Sequence, residues 1–382
     1  MEAKELVDIL SSHGMGFYTG IPDSHMEQLC NYLVERFGTS GSHIMPANEG
    51  SCAGIAAGYH LATGKVPVVY MQNSGLGNFM NPFVSMLSDR LFGIPCLLIV
   101  GWKGEPGMPE QQQQPQHAFQ GELTEGTFDL LGIPYIVLDR GIGAESFSAL
   151  LEGLLPVLGN GGSAALLVRA GAITAEVDSR NNHDRSMDRE HAIEMIIAAT
   201  PSDAFVATTG KACRELYEIR ERLQLPHHSD FLVIGSMGHV SSVALGVALN
   251  RPGVRVWCLD GDGSVLMHMG ALAAIGTSSP ANLVHVILNN CTYDSVGGQP
   301  TMAFGIDFRK VAEACGYKAC CLAESPEALD AALAAAKDSP GPALIEVRIS
   351  NGSREDLGWP KVSPKDSKLN FMRFLHDGGS CK

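Results

Sequence analysis

The sequence has no apolar run near the ~18 residues that a membrane-spanning helix needs. Its long hydrophobic runs, at residues 94–100 and 164–168, are of strand length. No membrane partner is expected. The ten cysteines include no CxxC or CxxH, so no pair has zinc-ligand spacing. Several sit in apolar or Gly/Ala-rich surroundings (Cys52, Cys96, Cys258). That usage predicts reduced thiols and a cytoplasmic setting. Positive charge is scarce: 27 Lys and Arg stand against 41 Asp and Glu, a net −14. Nucleic acid and anionic membrane both call for basic patches, so neither is expected as the main partner. A small anionic ligand, held by a metal ion, backbone N–H groups and a few cations, remains compatible with this balance. The opening Met1-Glu-Ala-Lys-Glu-Leu is charged and helix-like, unlike a secretory signal. There is no short-period repeat. No GxGxxG followed by an acidic residue at ribose distance stands on a first strand, which counts against a simple dinucleotide-binding module.

What is present is a chain of 382 residues, 45% hydrophobic and 18% charged. At about 150 residues per domain this gives two or three domains. The polar stretch AEVDSRNNHDRSMDR at 175–189 separates two halves of similar length. The first half opens with an amphipathic helix at 2–12 and has strand candidates at 17–19, 66–70, 95–101 and 165–168. The loop QNSGLGN follows the second of these. The second half has strand candidates at 204–208, 231–234, 254–259, 283–289 and 343–347. The glutamine run at 111–114 reads as part of an exposed loop. Buried strands alternating with helical patterns predict an α/β fold with mainly parallel sheets.

The chemistry begins at strand 254–259, which runs into Asp260-Gly261-Asp262-Gly263-Ser264 and then a helical run at 265–275. Glycines allow close backbone approach, and a helix N-terminus favours phosphate. A carboxylate in the same turn repels phosphate unless a divalent cation lies between them, as magnesium does. A second oxygen ligand is then expected from a neighbouring strand end. Strand 283–288 supplies it with Asn289-Asn290, 28 residues after Asp262. GDG alone is an ordinary turn. GDGS followed by NN at this spacing, on these elements, is a specific signal.

This pattern resembles the magnesium–diphosphate motif of thiamine-diphosphate enzymes. The resemblance implies Asp262, Asn290 and the Thr292 carbonyl as metal ligands, with Gly261, Gly263 and Ser264 beside the diphosphate. It implies a glutamate about fifty residues in, acting on N1′ of the cofactor's aminopyrimidine. Glu49 in ANEGSCAG, at the start of a Gly/Ala-rich helix, fits. Taken alone, Glu49 reads better as a first-turn acid after an Asn cap, and the company of GDGS…NN reverses that. In Gly235-Ser236-Met237-Gly238, Met237 would be the wedge that bends the cofactor, and Gly235 would accept from its 4′-amino group. A lone Met is otherwise core filler. Thr209-Gly210-Lys211 is a further diphosphate-side candidate, although Lys211 is equally a solvated helix residue. The resemblance thus implies two thiamine-diphosphate-binding folds, each a mainly parallel sheet flanked by helices. These are a pyrimidine-binding domain at 1–175 and a diphosphate-binding domain at 191–382, with a linker at 176–190 and no central domain. It also implies at least a homodimer with active sites at the interface, because in the family the two domain types that hold one cofactor come from different subunits.

The segments GIPDS (20–24), QNSGLGN (72–78), PQH (115–117), SVGGQPT (295–301) and GSREDLG (352–358) resemble the phosphonopyruvate decarboxylase family. Sulfopyruvate decarboxylases are near relatives. The resemblance implies a carboxy-lyase acting on a 2-oxo acid with an anionic group at C3. A carboligase and a silent paralogue are the rival readings. The retained Glu49, Asp262 and Asn290 argue against the silent one. Candidate substrate contacts are Ser24, Asn73, Ser74, His117 and Arg354, whose planar fork suits phosphonate. Arg354 is equally a surface ion pair with Glu355 or Asp356. Asp23, His117 and Asp294 are proton-relay candidates. His117 is equally a plain loop histidine. Two departures stand out: Trp359 where the relatives lead one to expect Arg, and Gln111–Gln114 where an acidic approach to PQH is expected.

Overall fold

Segments such as Leu97–Gly101, Ala164–Val168 and Leu283–Asn289 are buried at every position. That is the mark of parallel strands covered on both faces. The computed structural model describes residues 1–108, 114–177 and 183–378. The chain divides into two units, one of residues 1–180 with 296–299, the other of residues 181–295 with 300–382.

The first unit holds β1 (Tyr18–Gly20), β2 (His43–Ile44), β3 (Val68–Gln72), β4 (Leu97–Gly101), β5 (Tyr135–Leu138) and β6 (Ala164–Val168). They form one parallel sheet in the order β2-β1-β3-β4-β6-β5. Its helices are α1 (Ala3–Ser12), α2 (Glu27–Phe37), α3 (Glu49–Thr63), α4 (Leu76–Pro82), α5 (Pro115–Leu131), α6 (Ala144–Glu152) and α7 (Leu155–Gly159). Leu6, Leu29, Tyr70, Ile99, Phe147 and Leu166 belong to one core cluster.

The second unit holds β7 (Ala204–Ala207), β8 (Asp230–Leu232), β9 (Val256–Gly261), β10 (Leu283–Asn289), β11 (Ala319–Ala323) and β12 (Ala343–Arg348). The order is β11-β12-β10-β9-β7-β8, again parallel throughout. Read from the other edge, it is the first sheet's order repeated. The helices are α8 (Arg189–Ala199), α9 (Lys211–Arg222), α10 (Val240–Asn250), α11 (Asp262–Met267), α12 (Ala271–Ser278), α13 (Phe308–Cys315), α14 (Pro326–Asp338) and α15 (Pro364–His376). In both sheets the chain reverses its direction of winding twice, the first time between the first strand and the third. Ligands of such sheets bind beyond the carboxyl ends of the strands at that switch point. In the first unit this is the β1/β3 crevice, in the second the β7/β9 crevice.

Several expectations need correction. The helical run expected at 265–275 begins earlier, at Asp262, and breaks at residues 268–270 before α12. QNSGLGN is not a loop: a 3-10 turn at Asn73–Gly75 leads straight into α4. The end of the expected linker is structural. Met187 is 1% exposed in the second unit's core, Ser350 N–H donates to its carbonyl at 2.9 Å, and Arg189 opens α8. Residues 178–182 of that linker, and 111–113 of the glutamine run, lie outside the described residues.

Candidate active site

Glu49 sits in the first turn of α3 because Asn48 caps that helix, its Oδ1 accepting from Ser51 N–H at 2.9 Å. Small residues Cys52, Ala53, Ala56 and Ala57 bury the helix face against the sheet. The Glu49 carboxylate is 5% exposed, and Asn78 of α4 donates to its Oε2 at 2.9 Å. Burial pushes its pKa up, against that hydrogen bond. Gly75 leaves the space: a Cβ there would lie 2.6 Å from Glu49 Oε1.

Beside it, at the ends of β1 and β4, lies a second cluster. Asp23 is fully buried. Its Oδ2 accepts from His25 N–H at 3.0 Å, while Oδ1 has no hydrogen-bond partner. A Cβ on Gly101 would come 2.0 Å from Oδ2. Burial pushes the Asp23 pKa up, with His25 and Lys103 opposing. Lys103 donates to Ser24 Oγ at 3.1 Å. Asn73 Nδ2 donates to the Lys103 carbonyl at 2.8 Å and to Thr124 Oγ1 at 2.9 Å, tying β3 to β4 and α5. Ser74 Oγ accepts from Gln72 at 2.6 Å. His117, in the first turn of α5, shares a cavity of about 550 Å³ with His25 and Lys103. Burial, helped by the nearby cations, pushes its pKa down to about 4.

In the second unit Asp262 opens α11, 3% exposed. Its one hydrogen-bonding side-chain neighbour among the described residues is Thr301, whose hydroxyl donates to Oδ2 at 2.5 Å. Burial pushes Asp262 up to about 7. Asn290 Oδ1 accepts from Thr292 N–H at 3.1 Å, and the buried Thr292 Oγ1 has no partner. Ser264 Oγ accepts from Thr208 at 3.2 Å and from Gly238 N–H at 3.1 Å, which ties α11 to the β7 and β8 loops. A Cβ on Gly263 would lie 3.3 Å from Met237 Cε and 3.0 Å from Tyr293. Gly210 (φ 94°) needs its glycine, and it leads from Thr209 into α9. Ser236 (φ 49°) and Cys291 (φ 59°) hold left-handed backbone beside the site residues Met237 and Asn290. Such strain in non-glycine residues gathers at functional sites. Gly235 and Ser236 lie in the loop after β8.

Buried carboxylates with few donors, an orphaned hydroxyl and a cradle cleared by glycine fit a cation-bound diphosphate in the second unit. They fit an acid facing a pyrimidine in the first. Two like-folded units, each with its polar cluster at a switch point, define the class: a protein that binds thiamine pyrophosphate through paired domains. Residues 2–128 match the family described as thiamine pyrophosphate enzyme, N-terminal TPP binding domain, and residues 208–347 match its C-terminal TPP binding domain. The chain belongs to the thiamine pyrophosphate enzyme family, and thiamine diphosphate is its cofactor. It is 36% identical, over 98% of its length and 94% of the relative, to a phosphonopyruvate decarboxylase of Streptomyces viridochromogenes. The same figures hold for a phosphonopyruvate decarboxylase of Streptomyces hygroscopicus. It is 28% identical, over 97% of each chain, to a sulfopyruvate decarboxylase of Methanosarcina acetivorans.

Two expected residues are committed elsewhere. Asp294 pairs with Arg189 at 3.2 Å and Lys211 at 3.6 Å and accepts from Gly352 N–H at 3.0 Å, clamping its loop to the segment after β12. Arg354 is held by three carboxylates: Glu190 at 2.9 Å, Asp356 at 3.1 Å, and Glu218. Trp359, where Arg is expected, lies 4.0 Å under the Arg214 guanidinium. Lys103 and Thr301 escaped sequence reasoning as site residues, and His25 lay near a motif with no role that the sequence could give it. Lys103 stands two residues past a buried strand end, which is the one signal that marks it. Among the described residues Cys258, Asp260 and His285 bring ligand atoms within 4.8 Å of one another, a grouping that spacing did not reveal. His285 Nε2 meets Asp260 at 3.2 Å and Nδ1 meets Tyr317 at 3.2 Å, so the group is closed by hydrogen bonds behind the GDG turn.

Proposed function

We propose that this protein is a magnesium-dependent decarboxylase of 3-phosphonopyruvate that releases CO2 and phosphonoacetaldehyde in phosphonate metabolism. The observation that carries this reading is its likeness, over nearly the whole chain, to two phosphonopyruvate decarboxylases. Bound thiamine diphosphate supplies the nucleophile for the keto carbon and the sink for the electron pair that CO2 leaves behind. Glu49, buried and biased toward holding a proton, exchanges it with the aminopyrimidine. Asp262, Asn290 and the Thr292 carbonyl hold magnesium. Gly261, Gly263, Ser264, Thr209 and Gly210 receive the diphosphate, and Gly235, Ser236 and Met237 shape the cofactor.

The net reaction exchanges a carboxylate for a proton at the former keto carbon, so the pocket must deliver one proton. Asp23 is the group suited to carry it, since burial raises its pKa. His117, pushed down to about 4, is a neutral imidazole at pH 7 and serves as a hydrogen-bonding partner of substrate. Ser24, Asn73 and Ser74 complete this wall. The working unit is at least a homodimer in a reducing cytoplasm. The nine described cysteines, all free thiols, are in keeping with that compartment.

The test supplies phosphonopyruvate, sulfopyruvate and pyruvate side by side, with magnesium and thiamine diphosphate, and follows CO2 and aldehyde. Phosphonopyruvate should show a far higher kcat/KM than the others. Preference for sulfopyruvate moves the enzyme to the sister activity. No CO2 from any of the three removes the reading.

A further inference from the structure

The cavity of the first unit is biased toward anions in a way that the cofactor does not require. Its Lys and Arg side chains are Lys103, Arg140 and Arg169. Arg169 is neutralised by Glu105 at 2.7 Å and Asp139 at 3.3 Å. Arg140 sits exposed at the rim, its Nε given to the Ala170 carbonyl at 2.9 Å. Lys103 is different. It is half-buried, its ammonium donates to the neutral Ser24 hydroxyl at 3.1 Å, and among the described residues no carboxylate lies within 4.0 Å of it. Asp23 acts on it from beyond that distance; removing a charge from water without a counter-charge in contact is costly, so such a lysine is set for an anion that arrives with a ligand. A second observation agrees. His25 Nδ1 and Arg169 Nε, both buried and both on residues lining this cavity, have no hydrogen-bond partner. A polar, roomy cavity with unmatched ring and guanidinium nitrogens and one cation that no carboxylate contacts is a seat for a polar anion.

Which anion it holds follows from the reaction. This step rests on the reading that the substrate is a 2-oxo acid with a second anionic group. The carboxylate leaves as neutral CO2, so a fixed cation on it would stabilise the ground state more than the transition state and slow the reaction. The charge at C3 persists from substrate to product. A cation placed on that group binds substrate and transition state alike. We infer that the Lys103 ammonium seats the C3 phosphonate or sulfonate and is the residue by which this enzyme selects 2-oxo acids carrying one. Asn73, which donates to the Lys103 carbonyl, fixes the strand end that presents it.

The experiment compares the full-length holoenzyme with Lys103→Met and Lys103→Arg, using phosphonopyruvate and pyruvate as substrates. Calorimetry with 3-phosphonopropionate, which lacks the keto group, measures binding without chemistry. In Lys103→Met the preference for phosphonopyruvate over pyruvate, as a ratio of kcat/KM, should fall roughly 10- to 100-fold, the range of a charge-assisted hydrogen bond. The fall should lie in KM, because uniform binding is what is lost. The Kd for 3-phosphonopropionate should rise by a similar factor, and Lys103→Arg should recover most of both. Equal losses on the two substrates, or a fall confined to kcat, would overturn the inference. If the parent enzyme decarboxylates neither acid, the proposed function fails by itself. The calorimetry then still decides: tight 3-phosphonopropionate binding that Lys103→Met abolishes sustains the seat, and no binding by the parent removes it.

Discussion

Gly75 and Glu49 stand so close that no side chain fits between them: a Cβ on Gly75 would lie 2.6 Å from Oε1 and 2.7 Å from Cγ of Glu49. The glycine is not there for its backbone, which is helical (φ −69°, ψ −17°). It is there for room. Gly75→Ala should therefore fold, since alanine favours that backbone by roughly 1 kcal/mol, yet displace the carboxylate. We expect decarboxylation to fall at least about tenfold with little change in thermal midpoint. A variant with the parent's kcat would show that Glu49 tolerates displacement.

Glu49→Gln keeps the shape and the contact with Asn78 but cannot exchange a proton. Turnover should fall by roughly 100- to 10,000-fold while thiamine diphosphate binding, followed by calorimetry, persists. Decarboxylation at the parent's rate would remove Glu49 from the chemistry.

Arg189 bridges Glu215, at 2.7 and 2.9 Å, and Asp294, at 3.2 Å, and all three side chains are largely buried. Burial pushes Glu215 up, and Arg189 is the chief group that holds it down. Arg189→Met leaves Glu215 without its ion-pair partner and Asp294 with Lys211 and Gly352 N–H alone. We expect a loss of about 3–5 kcal/mol in urea unfolding, and a milder loss when Glu215→Leu is added. Additive losses in the double variant would show that the pair is not coupled.

His43 is buried between the Gly38 carbonyl and the Tyr70 hydroxyl, each at 2.7 Å. Burial pushes its pKa from 6.5 down to about 4. The fold thus prefers the neutral ring. Its stabilising share is whole above pH 6.5 and is lost as pH falls from 6.5 toward 4. Unfolding measured at pH 7 and pH 4.5 should show a smaller acid-induced loss in His43→Gln than in the parent. Equal losses would place the acid sensitivity elsewhere.

The central strands were legible because long apolar runs have few alternative uses, whereas the Asp262 and Glu49 motifs stood out only in company, since a GDG turn or a first-turn glutamate alone is ordinary. The strands that escaped, His43–Ile44, Tyr135–Leu138 and Ala319–Ala323, are all sheet edges, where one side lacks a neighbour and the hydrophobic pattern fades. The segment after β3 read as a loop because Asn, Ser and Gly favour turns. It is helical because Asn73 and Asn78 find partners in Thr124 and Glu49, residues distant in sequence. Arg189 looked like part of a linker, since a charge gives no sign in sequence of the buried carboxylate it will meet. Lys103 carries no motif. Its meaning lies in what is missing around it, and only three dimensions display that.

The ladders described above draw each sheet wholly from consecutive strands, β1 to β6 and then β7 to β12. The first unit also fastens its own extremities, with Ala3 N–H on the Thr174 carbonyl at 2.8 Å and a bridge between Glu2 and Thr174. Among the described residues no ladder joins a strand of one sheet to a strand of the other. Covalent continuity between the two units therefore contributes nothing to the hydrogen bonding of either sheet. It sets the ratio of the two halves at one to one, a stoichiometric role that two separate polypeptides made in equal amounts would fill as well.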